Sequence, residues 1–362
     1  MIICQNCFTD GIIKGVISSK STRSGRCETC SSNGKLYNTD EDNYLEDYFS
    51  SLLEIYTPVS QIPNFPSKDG RLLQTELLNS WDIFASKYES TVYEILKSIC
   101  SNQYEVSPEL FEQKVGIENI INAEYMGENS LLCSNDWDLF VQDLKTKNRF
   151  HSKHINKKLL EKYCSYILKN YKKGKRFYRC RISDSIEGFP VNKMGAPETG
   201  KSSDGRANSR GIRCLYLGDS KETTIYETRV GKYDRVCIGT FSLKEDIVVV
   251  DFKSINKISP FTEGIIDNIT ELAVNKQYLE KINIEMSKIM RRKDDVLDYL
   301  PTQYITDFVK SIENEGVSIY SGIEYKSVMN DKGYNLAIFN PDLFECEEVN
   351  TVNITQLNYI FS

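Results

Sequence analysis

Arg176-Phe-Tyr-Arg-Cys-Arg-Ile182 marks the point at which the chain changes character. Aromatic, thiol and branched side chains are interleaved there with charge, the pattern of a half-buried strand. Further runs of the same kind follow: RCLYLG (213–218), DRVCIGTFSL (234–243), DIVVVDF (246–252), VSIYSGIEY (317–325) and YNLAIF (334–339). Helix-like segments at Glu222–Thr228, Glu263–Arg292 and Gln303–Glu313 interrupt them. Residues 176–345 are therefore expected to form an α+β domain, and residues 346–362 one or two further strands.

Toward the N-terminus the period lengthens. Residues 149–175 are basic, with Leu159, Leu160, Tyr163, Tyr166, Ile167 and Tyr171 on one side, and predict a connecting helix. Its charge run is ordinarily solvated surface rather than a nucleic-acid face. Residues 42–148 read as an α-helical module. Apolar steps run from Leu77 through Trp81, Phe84 and Tyr88 to Leu96, a second helix starts near Ser107, and a third spans Asp136–Asn148. Residues 1–37 hold Cys4-x2-Cys7 and Cys27-x2-Cys30, whose spacing places four thiolates around one tetrahedral zinc, as in a zinc ribbon. Four cysteines leave no open coordination position, so such a zinc is structural.

Composition narrows the function. A chain of 362 residues suits about two or three domains. Its net charge of −6 provides no global basic field, which argues against nucleic acid as a partner. No apolar run is long enough for a membrane span, and MIICQNCFTDG lacks the form of a secretory signal, so a cytoplasmic address is expected. The seven remaining cysteines are scattered singly and read as core residues. Gly195-Ala-Pro-Glu-Thr-Gly-Lys201-Ser202 satisfies the phosphate-loop pattern, yet Gly188 and Pro190 stand where its strand would be, and SDGRANSRG follows where its helix would be.

Several blocks of the C-terminal half, taken in order, resemble the RES domain: Arg176-Phe-Tyr-Arg179, Met194-Gly-Ala-Pro, Gly205-Arg-Ala-Asn208, Leu215-Tyr216-Leu, Thr223-Thr-Ile-Tyr-Glu227, Tyr304-Ile-Thr-Asp-Phe, Gly322-Ile-Glu-Tyr-Lys-Ser327 and Gly333-Tyr-Asn335. The resemblance implies an ADP-ribosyltransferase-like fold and a toxin that consumes NAD+ by hydrolysis, phosphorolysis or ADP-ribose transfer. It also implies an antitoxin or regulatory protein as partner, in a toxin–antitoxin or anti-phage setting. Arg179, Glu227 and Ser327 match the residues that name the family, and Tyr216 matches its aromatic wall. Arg181, Arg206 and Asn208 are the further candidates for NAD+ contacts.

The chemistry suits these types: a carboxylate stabilises an oxocarbenium-like ribose, and an arginine fork grips pyrophosphate. Taken singly, Arg179 and Arg181 read equally as strand-surface charges, Tyr216 as a core aromatic and Glu227 as a helix-surface acid. Arg181 lies two residues from Arg179, so strand alternation leaves the two exchangeable. Ser321 is a weaker rival to Ser327, and Val328 departs from the small residue usual after the family serine. The helical N-terminal region is similar to a HEPN/RES arrangement. Arg149 and His154, with His151 between them, have the spacing of a HEPN ribonuclease pair, which is the alternative activity. A silent nucleotide-binding sensor is a third reading, and a homo-oligomer is compatible with all three.

Overall fold

The computed structural model describes residues 1–66, 68–290 and 295–357. The chain forms two compact units: Met1–Cys133 with Lys257–Gln277, and Ser134–Asn256 with Tyr278–Ser362. This division differs from the segments expected from the sequence. The helix Trp137–Thr146 belongs to the second unit, and a late stretch of chain returns to complete the first.

The first unit opens with a three-stranded antiparallel sheet in which Asn33–Asn38 lies between Ile2–Cys4 and Ser24–Arg26. Between its strands runs the helix Gly11–Lys20, whose first amides are capped by the Asp10 carboxylate. The stretch expected to be one helix through Leu77 and Leu96 is two, Leu73–Asn79 and Glu89–Ile99. Asp82, with φ of 52° in the left-handed region, lies in the break between them. Downstream of Ser107 only Glu109–Glu112 is α-helical before the chain turns into the strand Lys114–Gly116. That strand pairs with Thr57–Pro58 and Arg71–Leu72, so the module is not purely helical. Phe8, Phe49 and Phe84 pack mutually with ring centroids 5.3–6.1 Å apart, and Phe261 from the returning segment joins Phe49 at 5.4 Å.

The second unit is built on one eight-stranded sheet. In chain order its strands are β1 (Leu168–Tyr171), β2 (Arg176–Ile182), β3 (Leu215–Gly218), β4 (Arg235–Leu243), β5 (Ile247–Asp251), β6 (Gly322–Lys326), β7 (Tyr334–Ile338) and β8 (Phe344–Asn353). Their spatial order is β8-β4-β2-β3-β7-β6-β5-β1. All neighbours are antiparallel except β5 and β6.

β1 corrects the reading of residues 149–175 as one basic helix. The helix there is Lys157–Ser165 alone, after which the chain becomes a strand. The apolar residues through Tyr171 continue a helical period, but pairing of Leu168–Tyr171 with β5 overrides it. The segments expected to be helical at 222–228, 263–292 and 303–313 are Lys221–Thr228 (α1), Ile269–Met286 (α2) and Leu300–Lys310 (α3). Arg291 and Arg292, and the tail beyond 357, lie outside the described residues. Gly195–Ser202 lies in irregular chain with no strand leading in, and Lys201 is engaged by Glu198 at 2.6 Å.

One join in the sheet is unlike the rest. β4 pairs with β2 over seven residues, but β2 meets β3 only at Tyr178 and Gly218. The sheet is thus parted along a seam between β2 and β3. Leu215, Leu217, Leu336 and Ile338 enter a core with Phe177, Phe241 and Phe344. By strand alternation, Tyr216 and Asn335 face the other way.

Candidate active site

At the seam α1 takes over the role of a missing ladder. Ser220 caps it by accepting from the Thr223 amide at 3.0 Å, and it ends at Arg229 with φ of 52°. The Thr224 hydroxyl accepts from the Cys180 amide of β2 at 2.7 Å. From the other side of the helix register, Asn330 donates to the Thr223 hydroxyl at 2.9 Å. Gly333 must be glycine, because a Cβ there would lie 2.2 Å from the Thr223 hydroxyl oxygen.

Beside this helix opens a cavity of about 570 Å³, lined by Arg179, Tyr216, Glu227, Tyr325, Val328 and Asn335 among others. Its volume is in the range of ordinary small-molecule sites. Glu227 is the carboxylate of the cavity, and one of its oxygens, Oε1, receives two donors. Ser327 Oγ donates at 2.5 Å and Asn335 Nδ2 at 2.8 Å. Ser327 is fully buried, and the amides of Met329 and Asn330 both donate to its oxygen, at 3.2 and 3.1 Å. With its lone pairs so occupied, the hydroxyl proton is directed at the carboxylate. The second carboxylate oxygen, Oε2, receives neither of these bonds.

Arg179 brings the opposite charge. Its Nη1 is buried with no hydrogen-bond partner. Burial, with Arg181 as a second cationic neighbour, lowers the guanidinium to about 10, which keeps it charged at neutral pH. A buried cation with an unused donor is costly to the fold and suits an anionic ligand group.

Arg181 is placed differently: its guanidinium donates to the Lys193 carbonyl and lies 4.1 Å from the Phe189 ring centroid, outside the cavity lining. Arg206 does line the cavity, but it donates to the Glu285 carbonyl at 2.6 Å and to that of Lys288, at the end of α2. Asn208 lies behind the wall. Its amide donates to the carbonyls of Ser203, Ser209 and Ile212, and its oxygen accepts from the Tyr216 hydroxyl at 2.6 Å. Tyr216 in turn accepts from the Ala207 amide at 2.9 Å, so its ring is clamped from behind. Burial holds its phenol well above the usual range, keeping it neutral. Gly205 makes this clamp feasible, since a Cβ there would lie 2.6 Å from the Tyr216 hydroxyl. Ser321 is absent from the cavity lining and has its amide on the Val248 carbonyl.

Among the lining residues to which the sequence assigned no role are Asn335 and Tyr325. Asn335 stood inside a recognised block without an assigned role, and Tyr325 stood two residues before Ser327. Strand alternation from Leu336 places Asn335 toward Glu227, a signal available once β7 is drawn. Arg149, His151 and His154 lie in irregular chain between the helices Trp137–Thr146 and Lys157–Ser165. They therefore share no helix face.

In the first unit the Sγ atoms of Cys4, Cys7, Cys27 and Cys30 all lie within 4.8 Å of one another. Cys4 and Cys30 are 3.5 Å apart, as are Cys7 and Cys27. Thiolates bound tetrahedrally to zinc are separated by about 3.8 Å, so the donor set fits that ion. Burial pushes the Cys4 thiol up to about 11 and Cys7 higher still, and a bound cation is what would hold both as thiolates. No helix among the described residues is long and apolar enough to cross a membrane.

The family model described as the RES domain matches residues 176–361. No curated protein and no solved structure matches the chain.

Proposed function

Since the chain belongs to the RES domain family, we propose that the cavity at the seam binds NAD+ and that Glu227 promotes cleavage of the nicotinamide–ribose bond. The observation that carries this reading is the double hydrogen bond from Ser327 and Asn335 to one oxygen of Glu227, in a cavity that also holds the unsatisfied Arg179.

In the proposed reaction the electron pair of the glycosidic bond leaves with nicotinamide, which departs neutral. The ribose C1′ then carries the positive charge that the nicotinamide ring had held. Glu227, fixed through one oxygen, keeps the other for a ribose hydroxyl and places its negative charge against the oxocarbenium-like centre. Arg179 meets the pyrophosphate as a charged donor. Tyr216 and Tyr325 give the flat nicotinamide an aromatic wall. A nucleophile, whether water, phosphate or a protein side chain, completes the reaction by bonding to C1′ and losing its proton. The sheet parted by a ligand-binding seam is in keeping with an ADP-ribosyltransferase-like fold.

On the same reading the protein is a cytoplasmic toxin restrained by an antitoxin or regulatory protein, with zinc as a structural ion at the four cysteines. Purified protein incubated with NAD+ is expected to release nicotinamide, and Glu227→Gln protein to release about a thousandfold less. Equal release by both would overturn the assignment. Cell toxicity that survives Glu227→Gln but is lost in His154→Ala would instead support a ribonuclease at Arg149 and His154.

A further inference from the structure

A second cavity, of about 520 Å³, lies within the second unit, and its walls include Arg149, Lys157, Arg210, Gln303, Tyr304 and Phe308. We propose that it is a binding site for a nucleoside monophosphate, with the phosphate among the three cations and the base against the aromatic side chains.

Charge selects the ligand. Arg149, Lys157 and Arg210 form no ion pair among the described residues, while Asp204 and Asp307 also line the cavity. Three cations less two carboxylates leave one net positive charge, which suits a single phosphate better than a polyphosphate. Lys157 stands 5.8 Å from the centroid of the Tyr304 ring, so the cationic and aromatic parts of the wall adjoin. Phe150 also lines the cavity and is 75% exposed, leaving a face for a planar base. The volume suits a mononucleotide.

The floor is built from buried, hydrogen-bonded groups. Gln303 is only 3% exposed, and its amide donates to the carbonyls of Gly205 at 2.9 Å and Asn208 at 3.0 Å. Its oxygen accepts from Ser209 at 3.4 Å. The backbone amide of Arg210 donates to Asp204 at 3.0 Å, which fixes the turn that presents the Arg210 side chain. Arg149, Phe150 and Lys157 precede the residues matched by the RES family, so this cavity draws on chain that the match does not cover.

The test is calorimetric titration of AMP, adenosine and inorganic phosphate, each separately, into the full chain carrying Arg179→Ala, which removes the cation of the first cavity. AMP is expected to bind one-to-one, and adenosine and phosphate each at least about tenfold more weakly, because each lacks one of the two contacts. Arg149→Glu and Arg210→Glu, both at exposed positions, are each expected to weaken AMP at least about tenfold with no change in melting temperature. AMP affinity indifferent to both substitutions would overturn the proposal, as would no AMP binding. Phosphate bound as tightly as AMP would reduce the cavity to a plain anion site and overturn it too. Nicotinamide release is no part of this readout, so failure here leaves the reading of the first cavity standing.

Discussion

The four cysteines and the carboxylate cavity solve opposite problems with buried polar groups. Cys4, Cys7, Cys27 and Cys30 bring four sulfurs together, enough to fill every ligand position of a tetrahedral ion from the chain itself. At Glu227 and Arg179 the chain satisfies one oxygen of the acid and leaves a buried donor of the base unused. On the proposed reading the saturated cluster would serve the fold, and the unsaturated one would receive a ligand. Burial alone does not distinguish the two; the count of unused valences does.

The contrast can be broken most severely at Glu227. Glu227→Gln keeps the shape and removes the charge, and nicotinamide release is expected to fall by about a thousandfold, the scale of losing one transition-state electrostatic group. Intact thermal unfolding would show that the loss is chemical. Arg179→Met tests the unused donor. NAD+ affinity is expected to fall by about a hundredfold, as for loss of a charge-assisted contact, while the melting temperature rises because an unpaired buried charge is gone. A lower melting temperature would mean that Arg179 is held for the fold. Ser327→Ala leaves Asn335 as the remaining donor, and turnover is expected to drop by about tenfold with a smaller change in KM. Arg181→Ala, outside the cavity lining, is expected to alter NAD+ affinity by less than about threefold, as for an exposed charge. The saturated cluster marks the other end of the scale. Chelation of the metal, or Cys7→Ser, should lower the melting temperature while release per folded molecule stays within about twofold, as expected of a structural zinc site.

How legible each region was follows from the same difference. Two CxxC pairs lie within one short segment, so their spacing carries the geometry. The strands β2, β4, β5 and β7 were legible because each is a short run of branched and aromatic residues. β1 was not, since Tyr163, Tyr166, Ile167 and Tyr171 sustain a helical period that only pairing with β5 interrupts. The candidate site was legible as a family order rather than as contacts. Asn335 reaches Glu227 across 108 residues, and no local pattern records such a pairing. Alternation left Arg179 and Arg181 equivalent; the structure separates them because Phe189 and the Lys193 carbonyl engage one of them and the cavity receives the other. The missing phosphate loop was legible from Gly188 and Pro190, since neither suits a central strand.

The seam between β2 and β3 has a mechanical consequence. With one register pair between these strands, the two parts of the sheet are riveted by α1, whose Thr224 grips Cys180 on one side and whose Glu227 is gripped by Asn335 on the other. The rivet and the carboxylate proposed to act on NAD+ belong to the same helix. A ligand that pulls on Glu227 therefore also loads the fastening of the sheet, and a strain that loosens the sheet displaces the acid.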